Sequence, residues 1–215
     1  MKEAFGLYLV LTDPATGYEK CTEAAVEAGV RYVQLRMKSN SWEEVLDMAR
    51  RLRRITAGSA TRFIVNDDVE IAREADADGV HLGQFDMSLA EARKRWPVPG
   101  KIFGWSTHNE QQQRRAEELA PDYIGVGPVF ATPTKQDADP TLGLDRTGRM
   151  ILGTTLTAVA IGGINRENLT EVLRHGAVNY AVVRAVTQAS DPRAAIQALQ
   201  DIWKEHRAFI RGSEK

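Results

Sequence analysis

The chain is expected to fold as a single (β/α)8 TIM barrel, and three observations carry that expectation. Short β-rich runs alternate with helical patterns from residue 5 to the end without a lapse, which is the rhythm of βα units. Eight runs of each kind fit into 215 residues, close to the lower limit of about 200 residues for such a barrel. No Pro/Gly/Ser linker divides the chain, and no Gly-x-Gly-x-x-Gly fingerprint follows the first run to favour a doubly wound open sheet. Residues 1–207 therefore read as one domain, with 208–215 as a polar, frayed tail.

In order, the strands are expected at residues 5–11, 31–38, 62–67, 79–83, 101–106, 123–127, 156–163 and 179–184. Helices are expected at 21–28, 42–57, 69–74, 89–96, 110–119, a short one near 146–152, 167–175 and 193–206. Several starts carry caps. Ser41 precedes Trp42-Glu43-Glu44, so Glu44 completes a capping box. Asp191-Pro192 places an N-cap before a proline at the first helical position, and Asn165 stands as a cap ahead of the seventh helix. Trp42, Trp96 and Trp203 lie on helices among apolar neighbours and are expected in the core.

Composition narrows the function classes. With 43% hydrophobic residues the chain can fill a core, and 29 acidic against 28 basic side chains leave a net charge of -1. No global field recruits nucleic acid or a membrane surface, so any affinity for phosphate is local. The single cysteine, Cys21, excludes an internal disulfide and a multi-thiolate metal site. No long apolar run or signal peptide opens the chain, so a soluble cytoplasmic protein is expected.

A barrel of this kind works at the C-terminal ends of its strands and the loops after them, and those positions are chemically rich here. After the apolar run 123–130 comes Thr132-Pro133-Thr134-Lys135, two hydroxyls and an ammonium on a proline-stiffened loop, suited to an anion. The second strand ends Gln34-Leu35-Arg36-Met37-Lys38, with three polar side chains on one face; Gln34 and Lys38 lie roughly 13 Å apart, so they line a long ligand. The third ends Asn66-Asp67-Asp68 and the fourth leads into Gly83-Gln84-Phe85-Asp86. Asp67 and Asp86, carboxylates on neighbouring strand ends, suit a magnesium ion completed by phosphate oxygens and water. Asp67 or Asp68 also suits a helix N-cap, and Asp68 is assigned that role. Ser106 closes the fifth strand. Gly162-Gly163 follows the seventh and Val183-Arg184 the eighth, and the loops after these two strands form the recurrent phosphate site of such barrels. His81 and His108 read as packing or orienting residues rather than bases.

These residues together resemble the thiamine phosphate synthase family over residues 7–195, on Gln34-Leu35-Arg36-Met37-Lys38, Asn66-Asp67, Asp78-Gly79-Val80-His81-Leu82-Gly83-Gln84 with Asp86, Thr132-Pro133-Thr134-Lys135 and Ala160-Ile161-Gly162-Gly163-Ile164. The resemblance implies a magnesium-dependent, dissociative displacement. A hydroxymethylpyrimidine diphosphate loses pyrophosphate and a thiazole phosphate nitrogen captures the pyrimidinylmethyl centre. Carried over by position, Gln34, Arg36, Lys38, Asn66, Ser106 and Lys135 are contacts for the pyrimidine diphosphate, with Arg36, Lys38, Ser106 and Lys135 catalytic. Asp67 and Asp86 are the ligands of one Mg2+, and Thr132, Thr134, Gly163, Val183 and Arg184 hold the thiazole phosphate. Arg184 departs from the family, which usually has serine there. The partners implied are these two small molecules, and a homo-oligomer is compatible with the reading. The rival readings are a thiazole tautomerase, which tends to put histidine where this chain has Pro128, and a non-catalytic barrel that binds thiamine precursors.

Overall fold

A computed structural model describes residues 4–134 and 140–213. Eight parallel strands close into a barrel in sequence order: β1 (Gly6–Leu11), β2 (Tyr32–Leu35), β3 (Arg62–Asn66), β4 (Gly79–Leu82), β5 (Ile102–Thr107), β6 (Tyr123–Val126), β7 (Ala158–Ala160) and β8 (Asn179–Val182). β8 returns to β1 with Leu7 opposite Tyr180 and Leu9 opposite Val182, so no edge is left open.

Every residue of β1 is buried because the strand is covered on both faces, and its alternation divides two cores. Leu7, Leu9 and Leu11 point outward and join Val33, Leu35, Phe63 and Val65 beneath the helices. Tyr8 and Val10 point into the barrel, where they meet Tyr32, Ile64, Tyr123, Val159 and Ala181. The inner core is small and rich in tyrosine, and it forms the floor of the site.

The helical layer comprises α1 (Tyr18–Glu27), α2 (Trp42–Thr56), α3 (Val69–Glu74), α4 (Leu89–Arg95), α5 (Glu110–Leu119), α6 (Gly143–Gly153), α7 (Leu169–Arg174), α8 (Arg184–Thr187) and α9 (Pro192–Ser213). The capping box at Ser41 and Glu44 forms, Asp68 caps α3 through Ile71 N–H at 2.8 Å, and Asp191 Oδ1 accepts from Ala194 N–H at 3.0 Å at the start of α9. α9 is tied to β8 and the residue before it: Trp203 Nε1 donates to Val178 O at 2.8 Å and Tyr180 OH to Leu199 O at 2.9 Å.

Several expectations are revised. β2 stops at Leu35 rather than residue 38, because its neighbour β1 ends opposite at Leu11 and only Arg36 N–H still reaches Leu11 O. β7 has three residues rather than eight, because Gly162 and Gly163 turn the chain at φ 108 and 66. Residues 208–213 continue α9 rather than forming an irregular tail. Trp96 is buried, whereas Trp42 lies 43% exposed on the outer face of α2. Asn165 does not cap α7 itself; its side chain accepts from Glu167 and Asn168 N–H, closing a turn just before that helix. The short α8 was not expected, since it follows β8 without a side-chain cap.

Candidate active site

The C-terminal ends of the strands surround one cavity of about 650 Å³. Gln34, Arg36, Lys38, Asn66, Asp67, Asp86, Ser106, Thr132, Thr134, Gly163, Val183 and Arg184 all line it. Lys135 lies outside the described residues. Stretches as distant in sequence as Gln34 and Arg184 thus meet at one rim, brought there by a closed sheet in which every strand points the same way.

On one side the charges gather. Lys38 Nζ forms an ion pair with Asp67. Asp67 itself sits at φ 64, a left-handed conformation uncommon for a residue with a side chain. Its N–H donates to His81 O at 2.8 Å, which ties the β3 loop to β4. Asp86 accepts from Gly83 N–H at 2.7 Å. Burial pushes the Asp86 carboxyl above the usual carboxylate range, and a hydrogen bond and like charge from Asp67 push the same way, while Gly83 N–H and the Lys38 charge oppose. Burial lowers the Arg36 guanidinium below its ordinary value, against the pull of Asp67 and Asp13. Two carboxylates this close want a cation between them, and Lys38 already supplies one charge. Among the described residues no cluster of three or more metal-ligating side chains exists, so a divalent ion here would hold two protein carboxylates and take its other ligands from water or phosphate, as magnesium does.

On the opposite side the backbone is laid open. A Cβ on Gly162 would fall 2.5 Å from Pro128 Cα, and one on Gly163 2.7 Å from Phe130 Cβ. With positive φ at both, only glycine fits, and the main chain lies bare toward the cavity. The turn is held by Asn168 Nδ2, which donates to Gly163 O at 2.9 Å. Thr132 Oγ1 accepts from Thr134 N–H at 3.3 Å and donates to Thr134 Oγ1 at 3.2 Å, so the two hydroxyls are presented together. Arg184 is exposed at the mouth, with Val183 half-buried behind it.

The floor joins Gln34, His81 and Ser106 through two groups that sequence reasoning did not assign, the phenols of Tyr8 and Tyr123. Gln34 Nε2 donates to Tyr8 OH at 2.9 Å, Tyr8 OH meets Tyr123 OH at 2.7 Å, Tyr123 OH meets His81 Nδ1 at 3.0 Å, and His81 Nε2 meets Ser106 Oγ at 2.9 Å. Gln84 Nε2 fixes the Ser106 carbonyl at 2.5 Å. Burial raises both phenols above their ordinary value. Burial also drives the His81 imidazole down to about 4, with the Asp86 charge opposing and His108 adding to the fall. The signal for these groups was present only as polar atoms at inward positions of strands.

A closed barrel with carboxylates and cations on one lip of its cavity and bare glycine backbone on the other defines a (β/α)8 enzyme acting on small molecules. The chain belongs to the thiamine monophosphate synthase family, whose profile matches residues 7–186, and it is accordingly a transferase. It is 37% identical to the thiamine-phosphate synthase of Archaeoglobus fulgidus over 212 residues, 98% of this chain and 99% of that one. It is 43% identical to the enzyme of the same name from Chloroflexus aurantiacus, over 83% of this chain and 82% of that one. Among solved structures, thiamine phosphate pyrophosphorylase from Pyrococcus furiosus superposes with a TM-score of 0.84 at 32% identity, covering 94% of this chain and 97% of that one. A 3-hexulose-6-phosphate synthase, at 19% identity and a TM-score of 0.68, shares the fold alone.

Proposed function

We propose that this chain is a thiamine-phosphate synthase that joins 4-amino-5-hydroxymethyl-2-methylpyrimidine diphosphate to 4-methyl-5-(2-phosphoethyl)thiazole, releasing pyrophosphate. The observation that carries the reading is the convergence on one cavity of two complementary lips, one charged and one of open backbone. The bond from the pyrimidinylmethyl carbon to the diphosphate oxygen breaks first, its electron pair leaving with pyrophosphate. The thiazole nitrogen then gives its lone pair to that carbon. Arg36 and Lys38 face the charge that builds on the leaving group, and Lys135 is assigned the same role from the sequence; cations fixed in advance lower the barrier without reorganising. Gln34, Asn66 and Ser106 hold the pyrimidine end, and Thr132, Thr134, Gly163, Val183 and Arg184 hold the thiazole phosphate. Asp67 and Asp86 would hold one Mg2+, which supplies further neutralisation of the diphosphate. The partners are these small molecules, in the cytoplasm; no described helix is long and apolar enough to cross a membrane.

The test is to mix the purified chain with both precursors and magnesium and follow thiamine phosphate by mass spectrometry. Tight binding without turnover would instead mark a binding barrel, and isomerisation of the thiazole alone would mark a tautomerase. Asp86→Ala should lower kcat strongly, with part of the loss recovered at higher magnesium. An unchanged rate would remove the metal assignment.

A further inference from the structure

We infer that His81 is a positioning residue for this reaction: it ends a one-way chain of hydrogen bonds across the barrel floor and donates its Nε2–H to Ser106, which leaves the Ser106 hydroxyl proton for the substrate. The inference takes its reaction from the function proposed above, but the direction of the chain rests on geometry alone.

The direction follows from counting protons. Gln34 Nε2 is a donor to Tyr8 OH, so one lone pair of that phenol is used. If Tyr123 also donated to Tyr8, the Tyr8 proton would be buried with no acceptor among its contacts, a costly arrangement. Tyr8 therefore donates to Tyr123, across 2.7 Å. Tyr123 then has its own proton to place, and His81 Nδ1 lies 3.0 Å away. That nitrogen must be the bare one. An imidazole whose one nitrogen is bare carries its proton on the other. Nε2–H thus points at Ser106 Oγ, 2.9 Å away, and Ser106 accepts it. The serine proton is left to face the cavity. The ring cannot swing out of this role, since it stacks on Tyr123 with centroids 5.5 Å apart. Gln34, Tyr8 and Tyr123 are buried, so the floor acts as a fixed dipole aimed at one hydroxyl.

The direction is read by 15N NMR of the full-length protein labelled at the imidazole nitrogens, the His81 signals being those lost in His81→Asn. A neutral Nε2–H tautomer between pH 6 and 8 is expected; an Nδ1–H tautomer or an imidazolium overturns the inference. The action through Ser106 is read by a double-mutant cycle on kcat. Ser106→Ala should cost about a hundredfold, the scale of one lost donor to developing charge. His81→Asn should cost about tenfold or more in kcat with KM little changed, yet nothing further in the Ser106→Ala background. Losses that multiply, accompanied by an equal fall in Tm, would mark a merely structural role and refute it. If His81→Asn does not fold, Tyr123→Phe breaks the chain one link earlier and carries the same two expectations. If the wild type shows no turnover, the proposed function fails and the tautomer alone decides the inference.

Discussion

Gly104→Ala and Gly125→Ala form a matched pair that tests how tightly the floor is built. Both glycines sit on adjacent strands, β5 and β6, beside His81. A Cβ on Gly104 would lie 2.2 Å from Tyr123 Cζ, 2.4 Å from its hydroxyl and 2.6 Å from His81 Nδ1. Ordinary contact begins at 3.4 Å, so Tyr123 would have to retreat by about 1 Å into a packed core. Tyr8, Tyr32 and His81 surround the Tyr123 ring with centroids 5.5 to 5.9 Å from its own, and none of them leaves room. Overpacking of this kind costs about 1–3 kcal/mol, offset by about 0.5–1 kcal/mol because alanine loses less backbone freedom on folding. A net loss of about 1–2 kcal/mol lowers Tm by about 2–8 °C in a chain this long. On Gly125 the nearest atom to a new Cβ is His81 Cε1 at 3.6 Å, an ordinary contact, so the same substitution should leave Tm unchanged or slightly raised. Thermal unfolding followed by circular dichroism on both variants decides it. A Gly104→Ala protein as stable as the wild type, or a Gly125→Ala protein equally damaged, would refute the packing of Tyr123 against His81.

Three further outcomes are expected. Arg184→Ser should raise KM for the thiazole phosphate about three- to tenfold with kcat little changed, as expected for an exposed guanidinium that grips phosphate before the chemistry; an unchanged KM would leave Arg184 without a part in binding. His81 has a folded-state value of about 4 against 6.5, so the unfolded chain takes up its proton first. Its contribution to stability is complete above pH 6.5 and is lost as the pH falls toward 4, by up to about 3 kcal/mol, and denaturation at pH 7 and pH 4.5 should show that loss shrink in His81→Asn. Asp67→Gly should raise stability by about 1 kcal/mol, because glycine takes the left-handed backbone without cost and one of two adjoining like charges is gone, while product formation collapses. A variant that is both stable and active would detach Asp67 from the reaction.

The parts of the fold that were legible are those where a local side chain dictates the backbone. Asp68 and Asn109 each accept from an N–H three residues on, and the helices they open run over the expected 69–74 and 110–119. Strand ends were less legible because a strand persists only while its neighbour does. Gln34, Arg36 and Lys38 keep their alternation beyond Leu35, but β1 has already ended, so the last two side chains ride on a loop. α8 has four residues and no side-chain cap, leaving nothing in the sequence to mark it.

The same division governs the site. Charged and hydroxylic residues at strand ends have no structural reason to be there in a closed barrel, so Arg36, Lys38, Asp67 and Asp86 stood out. Tyr8 and Tyr123 did not, because a strand buried on both faces reads as apolar whichever way its side chains point, and a tyrosine there passes for core. Their meaning depends on a contact between β1 and β6, 115 residues apart in sequence, that exists only once the sheet has closed. The chemistry at the rim is thus carried by residue type and the chemistry of the floor by closure. Substitutions at the rim should change activity with little effect on stability, whereas those on the floor, where one set of contacts serves both ends, should change the two together except where a hydrogen bond alone is removed.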